Sequence, residues 1–107
     1  MQVLVLYPKQ ALVDWLNSLP TAHEVVELET LRKDPTAFLL HVLENEEETL
    51  AYVETRAQDF LEAELDLWEP NRDHWPAKRD YETLCGWYEL IFCSTVYEGV
   101  TKGAPCN

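Results

Sequence analysis

The chain has 107 residues with 20 acidic and 8 basic side chains, a formal net charge of −12. Such a surface repels phosphate backbones and anionic membranes, so neither direct nucleic-acid binding nor membrane association is expected; it favours a basic protein surface, cations or plain solubility. With 47% apolar residues, only three Gly and six Pro, the composition fits one globular, helix-rich domain over 1–100, followed by a flexible tail over 101–107, and disfavours a many-stranded sandwich.

Residues 2–7 form a nearly continuous apolar run ending at Pro8, which reads as a buried strand with Pro8 opening the next helix. Leu12, Trp15, Leu16 and Leu19 then recur at helical spacing up to Pro20. Residues 23–29, with Val25, Val26 and Leu28 among acids, read as a second strand, with the start of a short helical turn through Leu31 as the alternative. After the polar turn Arg32-Lys33-Asp34-Pro35, residues 36–43 read as its hairpin partner.

Ten acidic residues and one Arg crowd into 44–69. Asn45 is a suitable helix N-cap, with Glu48 three residues on, and Glu46, Glu47 and Glu48 sit in the first turn, where the helix dipole favours negative charge. A long helix is predicted over 46–69, ending at Pro70. At 100° per residue Leu50, Val53, Ala57, Phe60, Leu61, Leu65, Leu67 and Trp68 share one side, and Glu64 falls inside that stripe. Asp59, Glu62, Asp66 and Glu69 fall on the opposite side.

Residues 71–79 form a loop around Trp75, read as exposed or groove-lining, with a tryptophan that caps the core as the alternative. Asp80 is a plausible N-cap for a last helix over 80–98, stopping at Gly99. Tyr81, Leu84, Trp87, Tyr88, Ile91, Phe92 and Thr95 make its main apolar face, and Leu90, Cys93 and Tyr97 make a second one, so the helix is either the central element of the fold or half of a homo-oligomer interface. The predicted fold is α+β, a small two- or three-stranded sheet packed against three helices in the order β-α-β-β-α-α. Its core comprises Val3, Val5, Leu12, Trp15, Leu16, Phe38, Leu40, Val53, Phe60, Leu61, Leu84, Trp87, Tyr88 and Ile91.

Reactive motifs are sparse. His23, His41 and His74 show no metal-ligand spacing, so no metal and no cofactor is predicted; no P-loop, GxGxxG or GxSxG is present. Cys85, Cys93 and Cys106 are odd in number and form no CxxC. With no basic, apolar leader at Met1, they point to a cytoplasmic protein with free thiols, Cys85 and Cys93 being small apolar residues of the last helix.

Glu64 is the residue to test for chemistry, because a carboxylate in an apolar site must be paired, hydrogen-bonded or protonated. His41, Lys78, Arg79, Tyr81, Tyr88 and Tyr97 are its possible partners. Glu89, on the polar strip of the last helix, faces solvent or meets Arg56 or Arg72. Size and charge are similar to those of small acidic antitoxin, immunity and DNA-mimicking inhibitor proteins, a likeness from which no residue role is carried over. The leading expectation is a protein-interaction or inhibitor-type module that binds a basic partner through Asp59, Glu62, Asp66 and Glu69, with Trp75 as an anchor. The alternative is a small enzyme or ligand-binding domain using Glu64 with nearby Tyr and His.

Overall fold

The computed structural model describes residues 2–20, 24–40 and 45–94. Strand β1 (Gln2–Pro8) leads through α1 (Gln10–Ser18) and the short α2 (Leu28–Arg32) to β2 (Thr36–Leu40). The chain continues through α3 (Glu46–Thr55), α4 (Ala57–Trp68), a 3-10 turn at Arg72–His74 and α5 (Tyr81–Trp87) into β3 (Tyr88–Cys93). The three strands form one antiparallel sheet in the order β2-β1-β3. This is the predicted α+β class with a small sheet.

The alternation of a strand decides which side is buried. On β1 the buried side is Gln2, Leu4, Leu6 and Pro8. Helices cover that side: Phe38 of β2 meets Phe60 of α4 edge-on with ring centroids 4.9 Å apart, and Leu61, Leu65 and Leu84 are sealed beneath the sheet. Val3 and Val5, expected in the core, stand on the other side. The register places them beside Leu39, Ala37, Cys93 and Ile91, and of these Leu39, Ala37 and Ile91 are exposed. Ile91 therefore also leaves the predicted core, while Trp15, Phe38 and Trp87 are half-buried around it.

Four local readings are corrected. Residues 25–27 carry no regular structure and α2 follows them, so the partner of β2 is β1 and not a hairpin strand from 23–29. Pro8 closes β1 and does not open α1; its carbonyl accepts a 2.8 Å hydrogen bond from Arg32 Nε. The long helix breaks at Arg56, whose backbone (φ −112°, ψ 21°) is both the C-cap of α3 and the N-cap of α4. The last helix ends at Trp87, and Tyr88, at φ −137° and ψ 145°, begins β3.

That last junction is pinned from outside. Helix ends leave carbonyls without intrahelical partners, and here Lys9 supplies both donors: its N–H reaches the Trp87 carbonyl at 2.9 Å and its Nζ the Cys85 carbonyl at 2.7 Å. From Tyr88 onward the side chains alternate, with Tyr88, Leu90 and Phe92 toward the helices and Glu89, Ile91 and Cys93 toward the open side. Leu90 and Cys93, assigned to a second apolar face of the last helix, belong to β3 and so form no helix face. Gly99, Tyr97, Cys106 and the tail over 101–107 lie outside the described residues.

Candidate functional site

The buried face of α4 consists of Ala57, Phe60, Leu61, Glu64 and Leu65. Glu64 holds the place of a core residue and is 3% exposed. It faces the end of the sheet where β1 finishes and β2 and β3 begin, near Thr36 and Tyr88, the first residues of those two strands. Burial holds the Glu64 carboxyl above the ordinary carboxylate range, and the neighbouring Thr36 and Tyr88 hydroxyls temper that effect. The tempering is incomplete, since Oε1 of Glu64 and the Tyr88 hydroxyl each lack a hydrogen bond of acceptable geometry. Tyr88 is itself sealed, and desolvation together with the Glu64 carboxylate drives its phenol far above its usual range.

The site is not closed. A cleft of about 390 Å³ opens between α2 and the last turn of α4, with Glu64 on its lining. Its walls are Thr30 and Leu31 of α2, Asp34, Thr36 of β2, and Leu67 and Trp68 of α4. Both charged residues that line it are acidic. Leu67, expected in the core stripe, is 71% exposed, and Trp68 is 41% exposed. The 100° projection puts Trp68 on the buried side, but at the end of α4 it has passed the edge of the core. Leu50 is likewise exposed, at the start of α3.

The possible partners of Glu64 are sorted by the fold. Tyr88 is beside it. Arg79 instead donates to Glu62 Oε2 at 3.0 Å and to the Pro76 carbonyl at 2.7 Å. Lys78 lies 3.7 Å from Asp80 and 4.0 Å from Glu82, and Tyr81 is engaged with Cys85. His23, His41 and Tyr97 lie outside the described residues.

The acidic row on the outer side of α4 is broken. Asp59 and Asp66 are exposed as expected. Glu62 is half-buried and accepts from Gln58 at 2.9 Å as well as from Arg79; those hydrogen bonds hold its carboxyl below the usual range. Glu69, expected on the same outer face, is 4% exposed. It is the C-cap of α4, and its extended backbone turns the side chain inward, where Oε1 accepts from the Asn71 N–H at 3.0 Å.

Trp75, expected to be exposed or groove-lining, is 7% exposed. Its indole N–H donates to the Glu69 carbonyl at 2.6 Å, and the Arg72 and Arg79 guanidinium groups lie 4.7 Å and 5.8 Å from its ring centre. It fastens the 70–80 loop. Glu89 is solvent-exposed on β3; Arg56 lies over Tyr52 and Arg72 over Trp75. Cys85 and Cys93 are free and half-buried, one in α5 and the other in β3.

Asp34, Thr36, Leu67 and Trp68 join Glu64 at the cleft, and sequence reasoning did not connect them. The dipeptide Leu67-Trp68 just before Glu69-Pro70 was the available signal, an apolar pair at a helix end. The approach of Asp34 and Thr36 depends on strand pairing that no local pattern encodes. Among the described residues no group of three or more His, Cys, Asp or Glu side chains converges as a metal site, and no helix is long and apolar enough to cross a membrane. No family model, curated protein or solved structure matches the chain.

Proposed function

We propose that this protein is an interaction module that binds a basic partner surface at the end of α4. The observation that carries the reading is the exposed Leu67–Trp68 pair at the mouth of a cleft whose charged linings, Asp34 and Glu64, are both carboxylates. Exposed large apolar side chains beside a concavity are what partners anchor on, and carboxylates around them select a cationic partner and speed its approach. The net charge of −12 adds long-range attraction of the same sign. Exposed Asp66, next to Leu67, extends the acidic surface along α4, and Asp59 lies two turns earlier.

Glu62, Glu69 and Trp75 drop out of the binding surface as first drawn, because each is engaged within the fold. The test is titration of a labelled Lys/Arg-rich peptide at low and moderate salt. Binding should fall steeply with salt, and Trp68→Ala or Asp34→Asn should weaken it severalfold. Equal binding by both variants, or by a charge-neutral peptide of the same length, would reject the reading.

A second reading has its own support, since Glu64 pairs a raised pKa with a place on an open cleft, as a general acid for a small substrate would. Turnover of a substrate that is lost in a folded Glu64→Gln protein would favour it over binding alone.

A further inference from the structure

We propose that the Glu64 cleft is an anchor pocket for one alkylammonium or alkylguanidinium group, the head and stem of a single Lys or Arg side chain. The inference rests on the basic-partner reading for the source of that group and goes further in assigning it one pocket and one chemistry.

The lining is sorted for such a ligand. Its charged side chains are two carboxylates, which only accept, and it carries no cationic group. An anion would meet Asp34 and Glu64 without a counter-charge. A cation would meet both carboxylates in a concave, partly desolvated place, where each charge-assisted hydrogen bond is strengthened. The apolar part of the wall, Leu31, Leu67 and Trp68, suits an alkyl stem, and the Trp68 ring at the mouth can stack on a cationic head.

The second observation is Glu64 itself. A carboxylate 3% exposed, with Oε1 lacking a hydrogen-bond partner, is a cost the fold carries without return. Buried polar atoms are nearly always satisfied, and Glu64, whose Oε1 is not, is also a lining residue of the cleft. The groups facing Glu64 from the elements around it are the Thr36 hydroxyl on β2 and the Tyr88 hydroxyl on β3, and Asp34 shares its cleft. None of these carries a positive charge, so a cation entering the cleft would be the first counter-charge that Glu64 meets. A volume of about 390 Å³ is at the small end of ligand pockets, enough for one side chain and too little for a folded segment.

The experiment is NMR titration of the intact protein, read at the Leu67 methyls and the Trp68 indole. Four probes of one size are compared: n-butylammonium, n-butylguanidinium, n-butanol and butyrate. A blocked tripeptide with a central Lys separates a side-chain source from a free amine. The two cations should give saturable shifts at Leu67 and Trp68, with butanol and butyrate at least tenfold weaker. The tripeptide should bind at least as well as butylammonium if the cation arrives on a chain; binding of the free amine alone would assign the pocket to a small amine and overturn the side-chain source.

Glu64→Gln should lower cation affinity at least tenfold. Asp34→Asn, at an exposed position, gives an independent loss should the first variant fold poorly. Equal binding of butanol overturns the cation assignment. A Lys/Arg-rich peptide that binds without moving Leu67 or Trp68 overturns the pocket while leaving a basic partner in place. No shift from any cation in the tens of millimolar overturns the pocket outright.

Discussion

Relative to wild type, Glu64→Gln should gain stability as pH rises through and above the carboxylate range. Glu64 is 3% exposed, and its Oε1 has no hydrogen-bond partner. Burial raises its pKa in the fold above the value of the unfolded chain. Below the ordinary carboxylate range, about 4.3 for Glu, both states are protonated and the stabilising contribution of the neutral group is fully present. As pH rises, the unfolded chain gives up its proton first while the folded protein keeps it. Wild-type stability therefore falls, with a slope of at most about 1.4 kcal/mol per pH unit for one proton, until the folded carboxyl ionises too. Gln has no proton to lose. The wild-type curve minus the variant curve isolates Glu64 and cancels groups such as Glu62 and Asp80, whose pKa values are lowered and whose pH dependence has the opposite sign.

The size of the plateau follows from the same geometry. One unsatisfied buried polar atom costs about 1–3 kcal/mol, and more when it is charged. Gln keeps a polar group in the same place and removes only the charge, so from low to high pH its stability relative to wild type should rise by about 1–3 kcal/mol. The assay is urea unfolding of both proteins, followed by the fluorescence of the four tryptophans at half-unit steps between about pH 4 and pH 8.5. A difference curve that is flat, or that shows wild type gaining on the variant as pH rises, would refute the argument. It would mean that Glu64 is satisfied in the fold.

The remaining predictions test the packing and the caps. Leu61→Ala should cost about 2–5 kcal/mol because Leu61 is fully sealed, whereas Leu67→Ala, at an exposed position on the same helix, should stay within about 0.5 kcal/mol; equal effects in chemical denaturation would show the wrong face of α4 buried. Asn45→Ala removes the 2.8 Å hydrogen bond from the Glu48 N–H to the N-cap side chain and should cost about 1 kcal/mol by the same method. Trp75→Phe keeps the ring but removes the indole donor at 2.6 Å from the Glu69 carbonyl, with an expected loss of about 1–3 kcal/mol and faster proteolysis in the 70–80 loop. In an alkaline absorbance titration Tyr88 should ionise only as the protein unfolds, and Tyr88→Phe should delete that late component.

What could be read in the sequence was what depends on neighbours along the chain. Asn45 and Asp80 were legible as caps because a side-chain oxygen three residues before a free N–H is a local event, and both bonds form. Leu61 and Leu65 were legible because a helix repeats its face. The break at Arg56 was not, since Thr55, Arg56 and Ala57 are unremarkable helix residues and the turn is set by packing. Val3 and Val5 were misplaced by an ambiguity that sequence cannot remove: in an all-apolar strand both alternating sets are equally suitable, and the choice depends on which side the helices cover. Trp75 could be read as an exposed anchor or as a core cap; the choice is made by Arg72, Arg79 and the Glu69 carbonyl, which meet it only after the chain has turned.

The stretch from Tyr81 to Cys93 shows why the site was only half legible. Tyr88, Ile91 and Phe92 satisfy a helical period, yet Tyr88, Leu90 and Phe92 satisfy a period of two equally well, and Gly86 weakens the helix just before the switch. Aromatic and β-branched residues after a helix-weakening Gly favour a strand, and β1 offers a free edge to pair with. The outcome matters for Glu64. Had the helix continued, Tyr88 would not begin a strand at the end of the sheet, and no phenol would stand over the carboxylate. The sequence identified the misplaced charge from α4 alone; its surroundings were assembled by the pairing of β1 with both of its neighbours. Buried carboxylates of this kind can be found from periodicity, but whether they are sealed or reachable is a property of the tertiary fold. Here α2 stops short of the last turn of α4, and the gap between them is the cleft that Glu64 lines.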